Sequence, residues 1–282
     1  MKIAVLGSSG QIGAYLTEYL RKKEHLVREF DILNDSHEDM THIPNPFLRN
    51  VIMDSDFVFL LAFDVGGSHY LKKYQHTFKF LDNNTRMMAN VFGYLSDYKK
   101  PFVFASSQMS NMSYSPYGVM KRVGELYTKS LNGLIVKFWN VYGIEKDMEK
   151  AHVITDFIRK GFETGVIDMM TDGTEAREFL YAEDCCEALE TVMGNYDRLT
   201  SDDELHITTG NSTTILEIAQ NIQKLFSNIG KEVVIKPAES KDEVQKDARN
   251  VSDPYIQKFW RSTTSVKEGL TKVFYEMKKN YE

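Results

Sequence analysis

The N-terminal segment constrains the fold most, because it reads as a strand, a glycine turn and a helix in immediate succession. Residues 2–6 form a short apolar run typical of a buried strand, and apolar residues recur at helical spacing from Ile12 to Leu20. Between them lies Gly7-x-x-Gly10-x-x-Gly13. Glycines let the backbone turn sharply and approach a pyrophosphate, which the N–H groups at a helix N-terminus can bind. The segment predicts a dinucleotide-binding turn, with a plain tight turn as the alternative.

An acidic residue after the second apolar run indicates which dinucleotide binds. Asp31 ends the predicted strand 26–30, at about the spacing of 20 residues from the glycines that such a site requires. An acid there accepts hydrogen bonds from ribose hydroxyls and repels a 2′-phosphate, so NAD is favoured over NADP. A surface aspartate can also end a strand. We expect the cofactor to contact the turn and this acid, at Gly7, Ser9, Gly10, Gln11, Ile12, Gly13 and Asp31.

The first half of the chain alternates apolar runs with helical segments. Further runs at 57–62, 101–105 and 134–139 are continuous, as in strands of a parallel sheet that is buried on both faces. The pattern predicts an α/β fold with a Rossmann-type doubly wound parallel sheet. We expect residues 1–145 to form the NAD-binding domain and 146–282 a smaller α/β substrate-binding domain, with some chain exchange between them. Residues 32–55 receive no assignment.

One predicted helical turn carries residues suited to proton transfer. Tyr117 and Lys121 are four residues apart, so they lie on one helix face. A nearby ammonium favours the phenolate, so we predict that Lys121 lowers the pKa of the Tyr117 phenol. Such a phenol can exchange a proton with a substrate hydroxyl while a nicotinamide takes hydride from the same carbon. Ser107, at a predicted strand end, could bond the same oxygen, although such residues are also common in solvated turns.

Composition excludes several classes of function. The 282 residues carry a formal charge of −6, which argues against general binding to nucleic acid or to membrane surfaces. Cys185 and Cys186 are adjacent, so they offer neither a disulfide framework nor a metal-ligand spacing, and we expect no metal. The chain opens directly into a strand-like run without a signal peptide, so the cytoplasm is the expected location.

Several motifs in this order resemble the extended short-chain dehydrogenase/reductases of the nucleotide-sugar epimerase and dehydratase type. They are the glycine turn, Asp31, Ala62, Asn84, Ser107, Tyr117-x-x-x-Lys121, Asn140-Val141-Tyr142-Gly143 and Arg177-x-Phe179-x-Tyr181. The resemblance covers nearly the whole chain and implies an NAD-dependent enzyme whose substrate is a nucleotide-diphosphate sugar.

The resemblance also implies a role for each matching residue. Tyr117 would be the general base and acid, Lys121 would bind the nicotinamide ribose, and Ser107 would orient the sugar hydroxyl. Ala62, Asn84 and Ser106 would lie at the cofactor, although a buried asparagine can equally satisfy loop backbone groups. Asn140 would lie near the phosphates or sugar, and Arg177 would pair with the diphosphate.

Some stretches most resemble GDP-mannose 3,5-epimerases, and these imply substrate contacts at Gly66, Gly67, Lys150, Val153 and Arg249. The cysteine base of those enzymes is Met109 here, and a thioether cannot abstract a proton. The acidic pair of the 4,6-dehydratases is Gln108-Met109. What remains is epimerisation through a transient 4-keto sugar, with a 4-keto-sugar reductase or dehydrogenase as the alternative and a non-catalytic NAD sensor as a second.

Such enzymes commonly pair through two helices of each subunit, so a homodimer is expected. On the first of these helices, apolar positions at Val91, Phe92 and Leu95 fit such an interface, although a core role would demand the same residues.

Overall fold

The computed structural model describes residues 1–245 and 251–282. Its strands are β1 (Lys2–Leu6), β2 (Leu26–Phe30), β3 (Phe57–Leu60), β4 (Phe102–Ser107), β5 (Leu134–Phe138), β6 (Asn140–Tyr142), β7 (Val166–Asp168), β8 (Ala176–Tyr181), β9 (Leu205–Ile207), β10 (Ser212–Thr214) and β11 (Val234–Lys236). Its α-helices are α1 (Gln11–Lys22), α2 (Pro46–Asp54), α3 (Ser68–Tyr74), α4 (Phe78–Tyr98), α5 (Pro116–Ser130), α6 (Val153–Thr164), α7 (Ala182–Gly194), α8 (Ile215–Asn228) and α9 (Val266–Lys278). A short 3-10 turn, Gln108–Asn111, links β4 to the segment before α5.

A parallel sheet of six strands forms the centre of the described chain, in the order β2-β1-β3-β4-β5-β9. Alternate side chains of its strands enter two separate hydrophobic clusters. One lies under α1 and α7, and the other lies under α2, α4 and α5. Strands covered on both faces read as continuous apolar runs, which is why the sequence pattern found them. The predicted doubly wound α/β fold is confirmed.

The strand order places the loops that matter at one edge of the sheet. Strands β2 and β3 leave β1 in opposite directions across the sheet, so a crevice opens outside the carboxyl ends of β1 and β3. The turn 7–10, the loop after β3 and the end of β4 at Ser107 all lie at this edge. Sheets of this type bind ligands there.

A second core lies in the C-terminal part of the described chain. Helices α6, α8 and α9 pack around β6 and β8, and their buried aromatic residues include Phe157, Phe226 and Phe274. Strand β6 pairs with β8 in parallel, and β10 pairs with β8 antiparallel. Strand β9 leaves this part and joins the edge of the six-stranded sheet.

Two helices occupy stretches that the sequence pattern left unassigned. Helix α2 begins at Pro46, where the Asn45 side chain accepts a hydrogen bond from Leu48 N (3.0 Å). Proline is favoured in the first turn of a helix, since it lacks only an N–H that would be unpaired there. Helix α3 follows Gly67 and has no side-chain cap.

Several apolar residues that the sequence singles out are buried in the core. Val91, Phe92 and Leu95 are at most 2% exposed and lie in the core under the sheet, so the core alternative is correct for them. Cys185 and Cys186 are fully buried free thiols, as core packing predicts. Among the described residues, no helix is both long and apolar enough to cross a bilayer.

Candidate active site

The glycine turn after β1 has the geometry of a nucleotide-binding turn. Gly7 has a φ of +91°, and a Cβ at Gly13 would lie 2.0 Å from the Gly7 carbonyl oxygen. The turn can therefore close only with glycine at these two positions. A Cβ at Gly7 would also lie 2.6 Å from Ala62 N, so the end of β3 packs directly on the turn.

The first turn of α1 is suited to an anion. Gly10 is its N-cap, no side chain caps it, and no acidic residue lies in this turn. The N–H groups and dipole of such a helix end attract a pyrophosphate. Gln11 Nε2 is buried here without a hydrogen-bond partner among the described residues, a polar atom that a bound ligand could satisfy. The residues present fit the dinucleotide that the sequence predicts.

Asp31 connects this turn to the end of β2. Its side chain is 8% exposed, with Oδ2 accepting from Ser9 N (3.0 Å) and Oδ1 from Leu33 N (3.0 Å). Ser9 Oγ donates to Asn34 Oδ1 (2.8 Å), so the turn is held from two sides. The acid thus lies beside the glycine turn, which is where a ribose-binding carboxylate would have to lie.

Tyr117 is positioned by the start of α5. Ser115 caps this helix through a hydrogen bond from Gly118 N (3.2 Å), and Pro116 begins its first turn. A Cβ at Gly118 would lie 2.2 Å from Met109 O, so α5 packs tightly on the 3-10 turn after β4. This contact places Tyr117 beside Ser107, whose side chain acts on the pKa of the phenol and also accepts a hydrogen bond from Met109 N (3.2 Å).

Burial governs the ionisation of Tyr117. Desolvation raises the pKa of the phenol to about 12, and the hydrogen bond with Ser107 acts in the opposite direction. The prediction that Lys121 lowers this pKa is wrong for this structure. The Lys121 ammonium lies 5.8 Å from the Tyr117 ring centre and donates to Ala105 O (2.6 Å), so its charge is directed to a backbone carbonyl instead.

Lys121 is itself a buried cation with an altered pKa. Its side chain is 4% exposed and lies 3.8 Å from the centre of the Phe63 ring. Desolvation lowers the pKa of Lys121 to about 7, although the nearby Glu125 charge acts in the opposite direction. A lysine in this state can bind and release a proton near neutral pH.

The lowered pKa makes a prediction about stability. Between pH 7 and 10.5 the unfolded chain keeps the Lys121 proton while the folded protein releases it. The free energy of unfolding should therefore increase as the pH rises through this window, by up to about 1.4 kcal/mol per pH unit. Below pH 7 this contribution should not change with pH. Urea unfolding of the wild type and of Lys121→Met, each across this pH range, isolates the effect as a difference. A difference that does not change with pH would contradict the lowered pKa.

Two residues expected at the cofactor have other partners. Ser106 Oγ donates to Glu125 Oε1 (2.6 Å), which turns the hydroxyl toward α5. Asn84 is fully buried, with Oδ1 accepting from Asp64 N (2.8 Å) and Nδ2 donating to Asp64 O (3.2 Å) and Phe80 O (3.0 Å). Asn84 therefore satisfies loop backbone groups, which was the alternative that its sequence context left open.

A cavity of about 200 Å³ lies next to Tyr117, between the edge of the six-stranded sheet and the C-terminal part. The structure brings most of the expected substrate-binding residues to its wall. These are Gly66, Gly67, Ser107, Tyr117, Asn140, Val153 and Arg177. Asn140 Oδ1 is buried without a partner among the described residues, so a ligand could satisfy it.

The expected cationic residues are already paired with carboxylates. Arg177 forms an ion pair with Asp242 and also donates to Gln245 O (3.0 Å). Lys150 pairs with Asp64 at 3.3 Å and does not line the cavity, although its backbone packs on the loop of Gly66. Arg249 lies outside the described residues.

The sequence pattern missed the segment 240–245, which covers one side of the cavity. Ser240 Oγ donates to Met170 O (2.6 Å), and Gln108 Nε2 donates to Gln245 Oε1 (3.0 Å). Val244 is 5% exposed and packs in one cluster with Met109 and Tyr117. The segment has no periodicity, so only the folded chain reveals it. The sequence pattern also missed His152, which lines the cavity, and its partner Glu145.

Known proteins that resemble the chain belong to one group of enzymes. The profile of the NAD dependent epimerase/dehydratase family matches residues 3–208. A putative UDP-glucose 4-epimerase of Methanocaldococcus jannaschii is 30% identical over 173 residues, which cover 59% of this chain and 54% of that protein. The chain thus matches about half the length of that relative. A GDP-mannose 3,5-epimerase of Oryza sativa subsp. indica is 24% identical, and the alignment covers 100% of this chain and 83% of that protein.

The fold has close counterparts among solved structures. An epimerase from the thermophilic methanogen Methanothermobacter thermautotrophicus superposes with a TM-score of 0.85 at 21% identity. The superposition covers 99% of this chain and 93% of that one. At this identity the likeness concerns the fold.

Proposed function

The chain belongs to the NAD dependent epimerase/dehydratase family, and from this premise we propose its reaction. We propose that the protein is a nucleotide-sugar epimerase that acts through a transient 4-keto sugar. The observation that carries the proposal is that Tyr117 and Ser107 lie together in the wall of the cavity. The thioether of Met109 lines the same cavity. A hydroxyl pair of this kind can move the proton of a carbinol while NAD would accept the hydride, whereas Met109 cannot remove a proton from carbon.

The chemistry is divided between the cofactor and the chain. When bound, NAD would supply a hydride acceptor that can also return the hydride. Tyr117 would take the hydroxyl proton and later give it back. This role needs the phenolate, which the raised pKa of about 12 disfavours, so the positive charge of the bound nicotinamide would have to lower that pKa. Ser107 hydrogen-bonds the phenol and can hold the sugar oxygen beside it. Return of hydride to the opposite face gives the 4-epimer.

The phosphates of the substrate would lie on the far wall of the cavity. Arg177 offers a planar guanidinium that suits phosphate oxygens, and the unpartnered Asn140 Oδ1 can accept a hydrogen bond from a sugar hydroxyl. The cavity of about 200 Å³ is smaller than typical sites for a whole ligand of this size, so it suits the sugar and leaves the nucleotide to the cleft outside.

The source of hydride separates the proposed epimerase from a 4-keto-sugar reductase, since both would use Tyr117, Lys121 and Ser107. The experiment incubates the protein with catalytic NAD and a panel of UDP-, GDP- and dTDP-sugars, and follows products by NMR. An epimer that accumulates without added reductant supports the proposal. A product that forms only from a 4-keto sugar with stoichiometric reduced cofactor rejects it in favour of the reductase. Cofactor binding without turnover of any sugar indicates a sensor.

Asp31 supplies a test of the NAD preference. Asp31→Asn removes the negative charge that would accept hydrogen bonds from the ribose hydroxyls. The new amide N–H would also face Ser9 N, which now donates a hydrogen bond to the carboxylate. A hydrogen bond to a charged group contributes about 1.5–3 kcal/mol, so affinity for NAD should fall roughly 10- to 100-fold. Discrimination against NADP should also narrow, as measured by calorimetric titration with both dinucleotides. Glu29→Gln, an equal loss of charge two residues earlier on β2, is the control. An unchanged NAD/NADP ratio in Asp31→Asn contradicts the proposed role.

We also propose that the protein forms a homodimer through α5. Val119, Leu126 and Tyr127 on this helix are large side chains that are 43–56% exposed. Clusters of exposed apolar side chains on one helix favour burial against a partner. Light scattering after size exclusion measures the mass, and a monomer at micromolar concentration would contradict the proposal.

A further inference from the structure

A histidine in the wall of the cavity forms a fixed pair with a glutamate behind it. His152 Nδ1 lies 2.6 Å from Glu145 Oε1, and the second carboxylate oxygen accepts from His152 N (2.8 Å). Glu145 thus holds both the ring and the backbone of the same residue. Glu145 is 8% exposed, whereas the His152 side chain is 37% exposed and lines the cavity.

This geometry determines which ring nitrogen is available for chemistry. A carboxylate at Nδ1 favours the tautomer with hydrogen on Nδ1, so the neutral ring has its lone pair on Nε2. No group of the described residues bonds Nε2. Burial alone would lower the pKa of His152, but the charge and hydrogen bond of Glu145 outweigh it and raise the pKa. The pair therefore has the arrangement of an oriented general base.

His152 and Tyr117 both line the cavity of about 200 Å³. A sugar ring that fills this cavity is therefore enclosed by walls that carry both residues. A ring oxidised beside Tyr117 therefore presents its neighbouring carbons to the remaining walls. Met109, the residue at the position of the family's cysteine base, cannot accept a proton. His152 is the base that the cavity offers instead.

We propose that His152, oriented by Glu145, removes the proton from the carbon next to the keto group of the bound sugar. The inference rests on the proposed function, because only a keto sugar has a carbon acid of this kind. It adds enolisation to the 4-keto chemistry of the site. Glu145 is a positioning residue in this scheme, and His152 touches the reacting carbon.

The step conserves atoms and charge. The C–H electron pair becomes the carbon–carbon double bond of an enolate, and the carbonyl electron pair moves onto the oxygen. The proton moves to His152 Nε2, which gives an imidazolium facing the Glu145 carboxylate. The proton then exchanges with solvent and returns to carbon, so the sugar is recovered with a hydrogen from water. No oxidant or reductant takes part in this exchange.

Solvent deuterium reports this step separately from hydride transfer. The probes are nucleoside-diphosphate 4-keto-6-deoxyhexoses with UDP, GDP and dTDP, supplied already oxidised, so that the oxidation proposed for Tyr117 is bypassed. Each is incubated with the NAD-loaded protein in deuterium oxide, and incorporation beside the ketone is followed by NMR against a protein-free control. The wild type should incorporate deuterium at a neighbouring carbon much faster than the control.

Variants then assign the base. His152→Gln should lower the exchange rate by about 10²- to 10⁴-fold, the usual contribution of a positioned base. Glu145→Gln, which keeps the shape but removes the charge, should also lower the exchange rate. His37→Gln is the matched control, because His37 pairs with Asp35 (2.8 Å) on the exposed surface away from the cavity.

The outcomes are distinct for the two proposals. Wild-type exchange equal to the protein-free rate, or full exchange in His152→Gln, overturns the role of His152 even if epimerase activity is present. Exchange that depends on His152 in a protein that turns over no unoxidised nucleotide sugar supports this inference while rejecting the proposed epimerase. If either variant unfolds, the wild-type measurement still decides whether enolisation occurs.

Discussion

Replacing Tyr117 by phenylalanine should lower the rate of NAD reduction by a nucleotide sugar about 10²- to 10⁴-fold, the range expected when a general base is lost. The ring would still fill its place against Phe63, where the two rings pack edge to face with centroids 5.8 Å apart. Packing is thus retained while the hydroxyl bonded to Ser107 is removed. The measurement is single-turnover reduction of NAD, followed by absorbance.

The matched control for this variant lies on another helix. Tyr275→Phe also removes one hydroxyl, but Tyr275 on α9 is 43% exposed and does not line the cavity. It should leave the rate within about twofold, because exposed substitutions away from a site usually change free energies by no more than 0.5 kcal/mol. NAD affinity should be similar in both variants. Full activity in Tyr117→Phe would exclude the phenol as the proton acceptor.

Adding one methyl group at Gly13 should abolish measurable NAD binding. A Cβ there would lie 2.0 Å from the Gly7 carbonyl oxygen and 2.9 Å from Ser8 Cα, so backbone must move. Overpacking of this kind costs about 1–3 kcal/mol of folding stability. The movement also displaces the turn whose N–H groups would bind the pyrophosphate. Calorimetric titration with NAD and thermal unfolding of Gly13→Ala measure the two effects.

A second helical glycine provides the comparison. Gly93 lies inside α4, and a Cβ there would meet no atom within 4 Å. Gly93→Ala should therefore raise stability by up to about 1 kcal/mol, since alanine is the better helix former, and leave NAD affinity unchanged. Equal behaviour of the two alanine variants would show that close packing at Gly13 has no role in binding.

Local patterns predicted the parts of the protein that depend on neighbouring residues in sequence. Strand β1, the glycine turn and α1 follow one another within 22 residues, and each has its own signal in periodicity or glycine spacing. Ser107 ends β4 and Tyr117 lies at the start of α5, the next α-helix along the chain, so the sequence could also predict that the two residues lie close together. The substrate-binding expectation for Asn140 and Arg177 depended on family resemblance, and the structure brings both to the cavity.

Long-range contacts account for what the sequence did not predict. The pKa of Lys121 depends on burial beneath Phe63 and on the Ala105 carbonyl, neither of which helical spacing reveals. Asn84 had two possible roles, and its choice depends on the loop at Asp64, 20 positions away in sequence. The segment 240–245 has no repeating pattern, and it packs near Tyr117 through Val244, which is far from Tyr117 in sequence. Such contacts are decided by the packing of the whole molecule.

The Arg177–Asp242 ion pair has a consequence for which ligands the cavity selects. A phosphate that reaches Arg177 must displace a carboxylate that is already in contact, so the net affinity is the difference between two charged hydrogen-bond sets. A ligand with one negative charge merely matches Asp242, whereas a doubly charged diphosphate outcompetes it. The ion pair would thus lower the affinity of the cavity for simple sugars and monoanionic metabolites. Nucleotide-linked sugars would bind because their diphosphate replaces Asp242 as the partner of Arg177.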